Sequence, residues 1–196
     1  EANSVDVKII TTEDPVEYDL EGVVQVQVQE EIGLTFADCL RSILRQDPDK
    51  ILVGEIRDIE TAQIAVESSL TGHIVYSTLH TNDAPSSVTR ILDLGLEPFL
   101  IAATLEGVIA QRLARRTCVQ CKTPYDPTEQ ELYELELTAT ETQGREFFFG
   151  KGCKACNGTG YRGRVALFEM MLENDRLRDL IMNAASTAQL RAAARE

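Results

Sequence analysis

Two adjacent acids directly follow the first segment that is patterned like a β-strand. Residues 5–12 predict that strand, and Glu13 and Asp14 come next. In parallel α/β sheets, ligands bind beyond the carboxyl ends of the strands, which is where these two side chains would lie. A carboxylate at such a position can orient an attacking water or accept its proton. The alternative interpretation is a turn with solvated acids before Pro15.

A further acid ends a short apolar run. Residues 50–54 have the composition of a buried parallel strand, and Glu55 follows them. This is the Walker B arrangement, in which a strand fixes a carboxylate beside the Mg²⁺ and the water of a bound nucleoside triphosphate. Glu55 is therefore the candidate metal-side acid, and Arg57 is a candidate either to contact phosphate or to hold the acidic loop. The alternative is a strand that simply reaches solvent through charged residues.

Both histidines of the chain flank a third predicted strand, residues 73–79. His80 stands at its carboxyl end, where an imidazole can donate a hydrogen bond to a γ-phosphate and so report its presence. His73 stands at the opposite end, where a structural role is the simpler interpretation, and it is kept as a candidate nucleotide contact. His80 is the stronger candidate of the two.

Four of the five cysteines form two Cys-x-x-Cys pairs, Cys118 with Cys121 and Cys153 with Cys156. Two such pairs supply four thiolates for a closed tetrahedral site, which is the usual structural zinc arrangement. A pair of cytosolic redox motifs, or buried thiols, is the alternative. The fifth cysteine, Cys39, lies alone on a helical pattern and is predicted to be a core residue.

The elements that must position these residues alternate between strand and helix in the first half of the chain. Residues 22–29 predict a half-exposed strand, Thr35 is placed to cap a helix, and further helices are predicted over 59–70 and after Pro85. This alternation predicts an α/β sheet with helices packed on it.

The pattern changes in the second half. Residues 99–113 predict a helix that ends near three arginines, Arg112, Arg115 and Arg116, which suits the negative end of a helix dipole. A strand over 165–171 and two helices, 175–183 and 187–195, are predicted to close the chain. The predicted domains are a core over 1–116, a tetracysteine metal-binding module over 117–161, and a C-terminal strand with helices over 162–196.

One part of a nucleotide site is missing from the sequence. Phosphate cradling needs a Gly-x-x-x-x-Gly-Lys-Ser/Thr loop at a helix N-terminus, and none of the 196 residues forms one. If residues 5–12 are the second strand of a nucleotide-binding fold, that loop would lie roughly 30 residues earlier, the span of a βαβ unit. We therefore expect a core that starts just after the helix of the phosphate loop.

The motifs in combination resemble the secretion ATPase family, the hexameric motors of type II secretion and type IV pilus assembly. The resembling segments are residues 12–18, 32–36, 44–49, 53–58 and 71–82. The resemblance runs in order along nearly the whole chain. It implies a RecA-like P-loop NTPase core whose three motifs are the Asp box, Walker B and the His box. The tetracysteine insertion implies an assembly-type motor rather than a pilus retraction motor.

The resemblance also implies residue roles, cofactors and partners. Glu13 would be the general base or water-positioning acid, Glu55 the Walker B acid and His80 the γ-phosphate contact. The nucleotide or Mg²⁺ contacts would be Asp14, Arg57 and His73. The implied cofactors are ATP, Mg²⁺ and Zn²⁺. The implied motor is a homohexamer in the bacterial cytoplasm, peripheral to the inner membrane, that works with an inner-membrane platform protein and a cytoplasmic docking protein.

Composition narrows the classes of function. The chain has 19 basic and 32 acidic residues and a formal net charge of −13. This balance disfavours binding to nucleic acid or to an anionic membrane, because such surfaces need clustered positive charge. The longest apolar stretch, residues 99–103, is too short to span a bilayer, and no signal peptide opens the sequence, so we expect a cytosolic protein. Most of the excess negative charge lies in the first 60 residues.

A second hypothesis from a different class is a non-enzymatic zinc-binding adaptor, in which residues 1–115 serve only as scaffold. Three strand-end motifs in the correct order favour the motor, because a scaffold has no need of acids and a histidine at those positions.

Overall fold

The computed structural model describes residues 3–195 and, for residue 139, the backbone alone. Residues 1, 2 and 196, which the predicted domain limits include, lie outside the described residues. Internal contacts divide the chain into two units. Unit 1 consists of Glu1–Ala110 and Glu169–Glu196, and unit 2 consists of Gln111–Phe168.

The chain forms eight strands and eight α-helices within residues 3–195. In chain order the strands are β1 (Ile9–Glu13), β2 (Val23–Gln27), β3 (Lys50–Val53), β4 (Ile74–Ser77), β5 (Gly107–Thr117), β6 (Lys122–Tyr125), β7 (Phe147–Gly150) and β8 (Tyr161–Leu172). The helices are α1 (Phe36–Ile43), α2 (Ile59–Leu70), α3 (Ala84–Asp93), α4 (Pro98–Thr104), α5 (Glu129–Glu134), α6 (Ala139–Thr142), α7 (Asp175–Met182) and α8 (Thr187–Ala194).

A four-stranded parallel sheet organises unit 1. Its strand order is β2-β1-β3-β4, and the connections between successive strands include α1 and α2. The register pairs Thr12 with Val53 and Val53 with Ser77, so β1, β3 and β4 end at the same edge. The parallel sheet with its helices confirms the predicted α/β fold.

The core of unit 1 contains two clusters of buried apolar side chains. One packs β1 and β3 against α1 and includes Ile51, Leu40 and the predicted core residue Cys39. The other joins α3, α4, α7 and α8 and includes Leu177 and Leu190, both almost fully buried. Burial of each such leucine or isoleucine contributes about 1.5–3 kcal/mol, so these clusters fix the sheet edge and the C-terminal helices in unit 1.

The helix predicted over 99–113 is wrong in its second half. Helix α4 ends at Thr104, because Leu105 adopts an extended conformation, and the chain continues as β5. The three arginines of this region therefore lie on a strand, and their predicted role at a helix end is wrong as well. Pairing with β8 explains the difference, since a long-range strand partner overrides a local helical pattern.

Unit 2 contains the two-stranded sheet of β6 and β7 and the short helices α5 and α6. Strands β6 and β7 are antiparallel, and Tyr125 packs edge-on against Phe149 with ring centroids 5.7 Å apart. On β5, the guanidinium carbon of Arg115 lies 4.1 Å from the centroid of the Tyr161 ring. The predicted limits of the metal-binding module, 117 and 161, fall inside this unit, because the unit also includes the last part of β5 and the first part of β8.

Between residues 3 and 195, no helix combines the length and the apolar character that crossing a membrane requires.

Candidate functional site

Short capped loops hold the acidic and histidine motifs at one edge of the parallel sheet. The loop after β3 ends at Asp58, which caps α2 by accepting a 2.8 Å hydrogen bond from the backbone N–H of Thr61. The loop after β4 ends at Asp83, which caps α3 by accepting a 2.8 Å bond from the N–H of Ser86. Each cap fixes where its helix begins and therefore where the loop before it ends.

Glu55 is the centre of the cluster at this edge. Its Oε2 lies 3.1 Å from Nε2 of His80, and its Oε1 accepts a 2.6 Å hydrogen bond from Nη2 of Arg57. The side chain of Glu55 is only 14% exposed, whereas that of His80 is 87% exposed. The hydrogen bond from Arg57 is the largest cause that lowers the pKa of Glu55, and it outweighs the opposing effect of burial. Glu55 is therefore an ionised, partly buried carboxylate.

Arg57 links acids from three segments. Its Nη1 lies 3.7 Å from Oδ2 of Asp14 and 3.9 Å from Oε1 of Glu30, in addition to the bond with Glu55. That bond also raises the pKa of Arg57. The guanidinium carbon is 6.0 Å from the centroid of the Phe36 ring. Of the two predicted alternatives for Arg57, this geometry fits the one in which it holds the acidic loops together.

Glu13 lies at the same edge but its carboxylate faces a different strand. Its Oε1 accepts hydrogen bonds of 2.5 Å from Thr11 and 2.9 Å from Gln25. Gln25 belongs to β2, which borders β1 on the side opposite β3. The structure therefore brings Glu55, His80, Arg57 and Asp14 into one cluster, and holds the carboxylate of Glu13 toward β2.

His73 does not belong to the cluster. It precedes β4, whereas His80 follows that strand, so the two histidines lie at opposite edges of the sheet. Its Nδ1 lies 3.0 Å from the carbonyl oxygen of Ser68 and 3.1 Å from Oγ1 of Thr71, at the end of α2. These contacts connect α2 to β4, which fits the structural interpretation of His73 and not a contact with a ligand at the carboxyl edge.

Gly54 allows the end of β3 to approach β1 closely. Its N–H donates a 2.7 Å bond to the carbonyl oxygen of Thr12. A Cβ added at this position would lie 3.0 Å from that oxygen and 3.4 Å from the ring of Phe36. A side chain at this position would therefore require the backbone of β1 or the ring of Phe36 to shift by a few tenths of an ångström. The hydroxyl of Thr12 itself is buried and has no hydrogen-bond partner among the described residues.

The four paired cysteines form one compact cluster in unit 2. Their Sγ atoms all lie within 4.8 Å of one another, with separations of 3.9 Å for Cys118–Cys153, 3.9 Å for Cys121–Cys156 and 3.7 Å for Cys153–Cys156. A tetrahedral ion with metal–sulfur bonds of about 2.3 Å requires sulfur separations of about 3.8 Å. Disulfide sulfurs are about 2.05 Å apart, and all five cysteines are free. The arrangement fits a tetrahedral metal ion.

The pKa differs from one thiol of the cysteine cluster to another. The backbone N–H groups of Cys153 and Gly160, 3.1 and 3.3 Å from the sulfur, lower the pKa of Cys156 to about 6. Burial raises the pKa of Cys121 to about 12. Four ionised thiols in this space therefore require a bound cation, which is the condition that a tetrathiolate metal site fulfils.

Two glycines let the cysteine-bearing loops meet. A Cβ on Gly150 would lie 2.0 Å from the carbonyl oxygen of Gly160, and a Cβ on Gly160 would lie 2.3 Å from that of Gly150. The carbonyl of Gly160 also accepts a 2.9 Å bond from the N–H of Cys118. Neither glycine was predicted as a site residue from the sequence, although glycines beside a Cys-x-x-Cys pair are a usable signal for close backbone approach.

A family model described as "Type II/IV secretion system protein" matches residues 1–196. The chain is 51% identical over 190 residues to the "Type IV pilus assembly ATPase PilB" of Myxococcus xanthus, an alignment that covers 96% of this chain and 34% of that protein. It is 50% identical over 187 residues to the "Type II secretion system ATPase E" of Vibrio cholerae, covering 94% of this chain and 36% of that protein. The chain thus spans about a third of the length of these curated relatives.

A solved structure supports the same relationship. The structure is titled "Crystal Structure of the Pilus Retraction Motor PilT and Bound ADP", and it matches with a TM-score of 0.66 and 29% identity over 98% of this chain and 45% of that chain. The family match over the whole sequence and the identity of about half to curated secretion and pilus ATPases confirm the resemblance that the motifs predicted. The chain belongs to the type II/IV secretion system protein family.

Proposed function

We propose that this chain supplies the metal-side half of the catalytic site of an ATP-hydrolysing motor for type II secretion or type IV pilus assembly. The observation that carries the proposal is the contact of Glu55 with both His80 and Arg57 at the carboxyl edge of a parallel sheet. An ionised carboxylate fixed beside a histidine at this edge supports a RecA-like NTPase core, because metal-bound nucleotides are bound there.

The side chains at the carboxyl edge of the sheet provide the oxygen ligands that ATP with Mg²⁺ needs. Mg²⁺ prefers carboxylate and water oxygens, and the edge presents Glu55 and Asp14. When bound, the metal–nucleotide complex supplies the γ-phosphoryl group that is transferred to water. Glu55 would hold the Mg²⁺ or its water, and Arg57 would keep Asp14 oriented. His80, which is almost fully exposed, would donate a hydrogen bond to the γ-phosphate.

Glu13 is proposed as the acid that positions or deprotonates the attacking water. Its carboxylate already accepts hydrogen bonds from Thr11 and Gln25, which restrict its orientation. Carboxylate oxygens carry more lone pairs than these two bonds use, so Glu13 can accept a further hydrogen bond from a water.

The phosphate-cradling loop is not among these 196 residues, so we assign the activity to a longer protein that includes it. In that protein we propose a homohexamer in the bacterial cytoplasm, peripheral to the inner membrane. Its domain motion would be transmitted to an inner-membrane platform protein, with a cytoplasmic docking protein as a further partner. The names of the similar proteins, a pilus assembly ATPase and a type II secretion ATPase, support a role in such machinery.

Zn²⁺ is the proposed ion of the cysteine cluster. The four thiols of Cys118, Cys121, Cys153 and Cys156 provide a closed set of sulfur donors at tetrahedral spacing, which Zn²⁺ favours in structural sites. The ion would fold the two cysteine-bearing loops onto each other without taking part in catalysis.

The test of the ATPase proposal uses the longer protein. Glu55→Gln and Glu13→Gln should each lower kcat by about 10²-fold or more, the usual contribution of such groups. Glu60→Gln is the matched control, because Glu60 is an exposed acid on α2 that pairs with Arg41. Activity of the Glu55→Gln protein equal to that of the unmutated protein would refute the motor assignment and favour the zinc-binding adaptor.

A further inference from the structure

The loop that carries His80, residues 78–83, is held at both ends by polar contacts. Its start contacts the segment that follows β3, and its end contacts helix α8. At its start, Thr78 donates a 2.6 Å hydrogen bond from Oγ1 to the carbonyl oxygen of Gly54, and its own carbonyl accepts a 3.1 Å bond from the N–H of Ile56. The beginning of the loop is therefore fixed to the segment that carries Glu55. His80 itself is almost fully exposed, so its orientation depends on how the loop is held rather than on packing of its ring.

The end of the loop is fixed by the C-terminal helix α8. Oδ2 of Asp83 lies 2.8 Å from Nη2 of Arg191, while its Oδ1 accepts the capping bonds from Ser86. The hydrogen bonds from Ser86 are the largest cause that lowers the pKa of Asp83, and Arg191 adds to this effect. A charge-assisted hydrogen bond between ionised groups is shorter and stronger than a neutral one, so this pair is an effective tether.

Helix α8 is itself a rigid support. Leu190, the residue before Arg191, is fully buried in the core cluster of unit 1. Helix α8 also contacts α3, the helix that Asp83 caps: Oγ1 of Thr89 on α3 lies 3.2 Å from Oγ1 of Thr187 on α8. The guanidinium of Arg191 therefore extends from a fixed helix to the residue that ends the His80 loop.

We propose that Arg191 is a positioning residue, which holds His80 in contact with Glu55 by pairing with Asp83 at the far end of the loop. The proposal rests on the proposed ATPase function. Helix α8 would then regulate the residues at the carboxyl edge of the sheet through the pair between Arg191 and Asp83. Displacement of α8 would loosen the His80 loop and so lower the rate of hydrolysis without altering the residues that hold the metal.

The first test uses the 196-residue chain and needs no activity. Its two histidines give two imidazole Cε1–H signals in a ¹H–¹³C NMR spectrum, recorded at a fixed pH above the titration range of histidine. Arg191→Met should shift or broaden the signal of His80 and leave that of His73, at the opposite edge, unchanged. Arg191→Lys, which keeps the positive charge, should restore most of the original signal. An unmoved His80 signal in the Arg191→Met protein overturns the proposal.

Asp83→Asn is the complementary variant, because an asparagine keeps the helix cap and removes the negative charge. It should move the His80 signal as Arg191→Met does, and the double variant should show no larger change than either single one. Additive changes would mean that the two residues act separately, which also overturns the proposal. Far-UV circular dichroism verifies that each variant is folded.

The second test measures steady-state ATP hydrolysis in the longer protein. Arg191→Met should lower kcat about tenfold or more with little change in KM, because the loss is one of orientation in the reacting complex. Arg41→Met, which removes an arginine from exposed ion pairs on α1, is the control and should leave kcat unchanged. If Glu55→Gln retains full activity, the proposed function fails. If Glu55→Gln is inactive while Arg191→Met retains full kcat, only the positioning role fails.

Discussion

Glu173 predicts a specific pH dependence of the stability of unit 1. It directly follows β8, and both of its carboxylate oxygens are buried without a hydrogen-bond partner among the described residues. Burial raises the pKa of Glu173 from its ordinary value of 4.5 to about 7, while the charge of Arg178 opposes the increase and that of Glu106 adds to it. The folded chain therefore keeps a proton on this carboxyl at pH values where the unfolded chain has lost it.

The direction in which stability changes with pH follows from the number of protons that the folded and unfolded states bind. Between pH 4.5 and about 7, the folded state binds more protons than the unfolded state, so the free energy of unfolding decreases as the pH rises. The contribution is fully present below pH 4.5 and is lost as the pH rises through about 7. Each pKa unit corresponds to about 1.4 kcal/mol, so the full shift would correspond to about 3.5 kcal/mol. Because Glu173 is only partly buried, solvent screens part of this effect, and we expect about 1–3 kcal/mol.

The assay compares the unmutated chain with Glu173→Gln, in which the side chain cannot ionise. Urea unfolding is followed by far-UV circular dichroism from pH 4.5 to pH 8. All other titratable groups are present in both proteins, so the difference between the two unfolding free energies reports Glu173. The unmutated chain should lose about 1–3 kcal/mol relative to Glu173→Gln across this range. Parallel stability curves would refute the assignment of a protonated carboxyl.

Two further variants test how the charges of Glu106 and Arg178 affect the pKa of Glu173. Glu106→Gln removes a negative charge that raises the pKa of Glu173, so the stability loss should begin at lower pH. Arg178→Met removes a positive charge that lowers the pKa, so the loss should begin at higher pH. A shift in the same direction for both variants would contradict the electrostatic account.

The other predictions concern the metal, the close approach at Gly54 and a helix cap. Elemental analysis should find about one zinc per chain, and Cys121→Ser or a strong chelator should remove the metal and unfold unit 2; a metal content well below one per chain would contradict this. Gly54→Ala should destabilise unit 1 by about 1–3 kcal/mol in urea unfolding, because the added Cβ meets the carbonyl of Thr12, and an unchanged midpoint would refute that contact. Thr35→Ala should cost about 1 kcal/mol by the same measurement, because it removes the capping box with Asp38, whereas Thr35→Ser should cost much less.

The parallel sheet was predictable from the sequence because its signals are local. Residues 50–53 are an uninterrupted strand, and Thr35 is a cap directly before an apolar helical pattern. The error over 99–113 has the opposite origin. The segment is apolar enough for a helix, and it becomes strand β5 only because β8, about 50 residues later, pairs with it. No window of local sequence contains that information.

The candidate site was predictable where it depends on motif order, and not where it depends on side-chain direction. The strand-end positions of Glu55 and His80 follow from the parallel sheet, and the structure brings the two side chains into contact. The turn of Glu13 toward β2 depends on Gln25, a partner on a neighbouring strand. The pair between Asp83 and Arg191 joins residues 108 positions apart, and nothing in the spacing of either residue indicates it.

Under the proposed function, the charge distribution at the edge favours a metal–nucleotide complex over a nucleotide alone. The carboxylates of Asp14, Glu30 and Glu55 share the one guanidinium of Arg57, which leaves an excess of negative charge. That excess would repel the phosphates of a free nucleotide, since like charges a few ångströms apart interact strongly where water is partly excluded. A divalent cation on the phosphates would place a positive charge between them and these carboxylates, and so offset part of the repulsion.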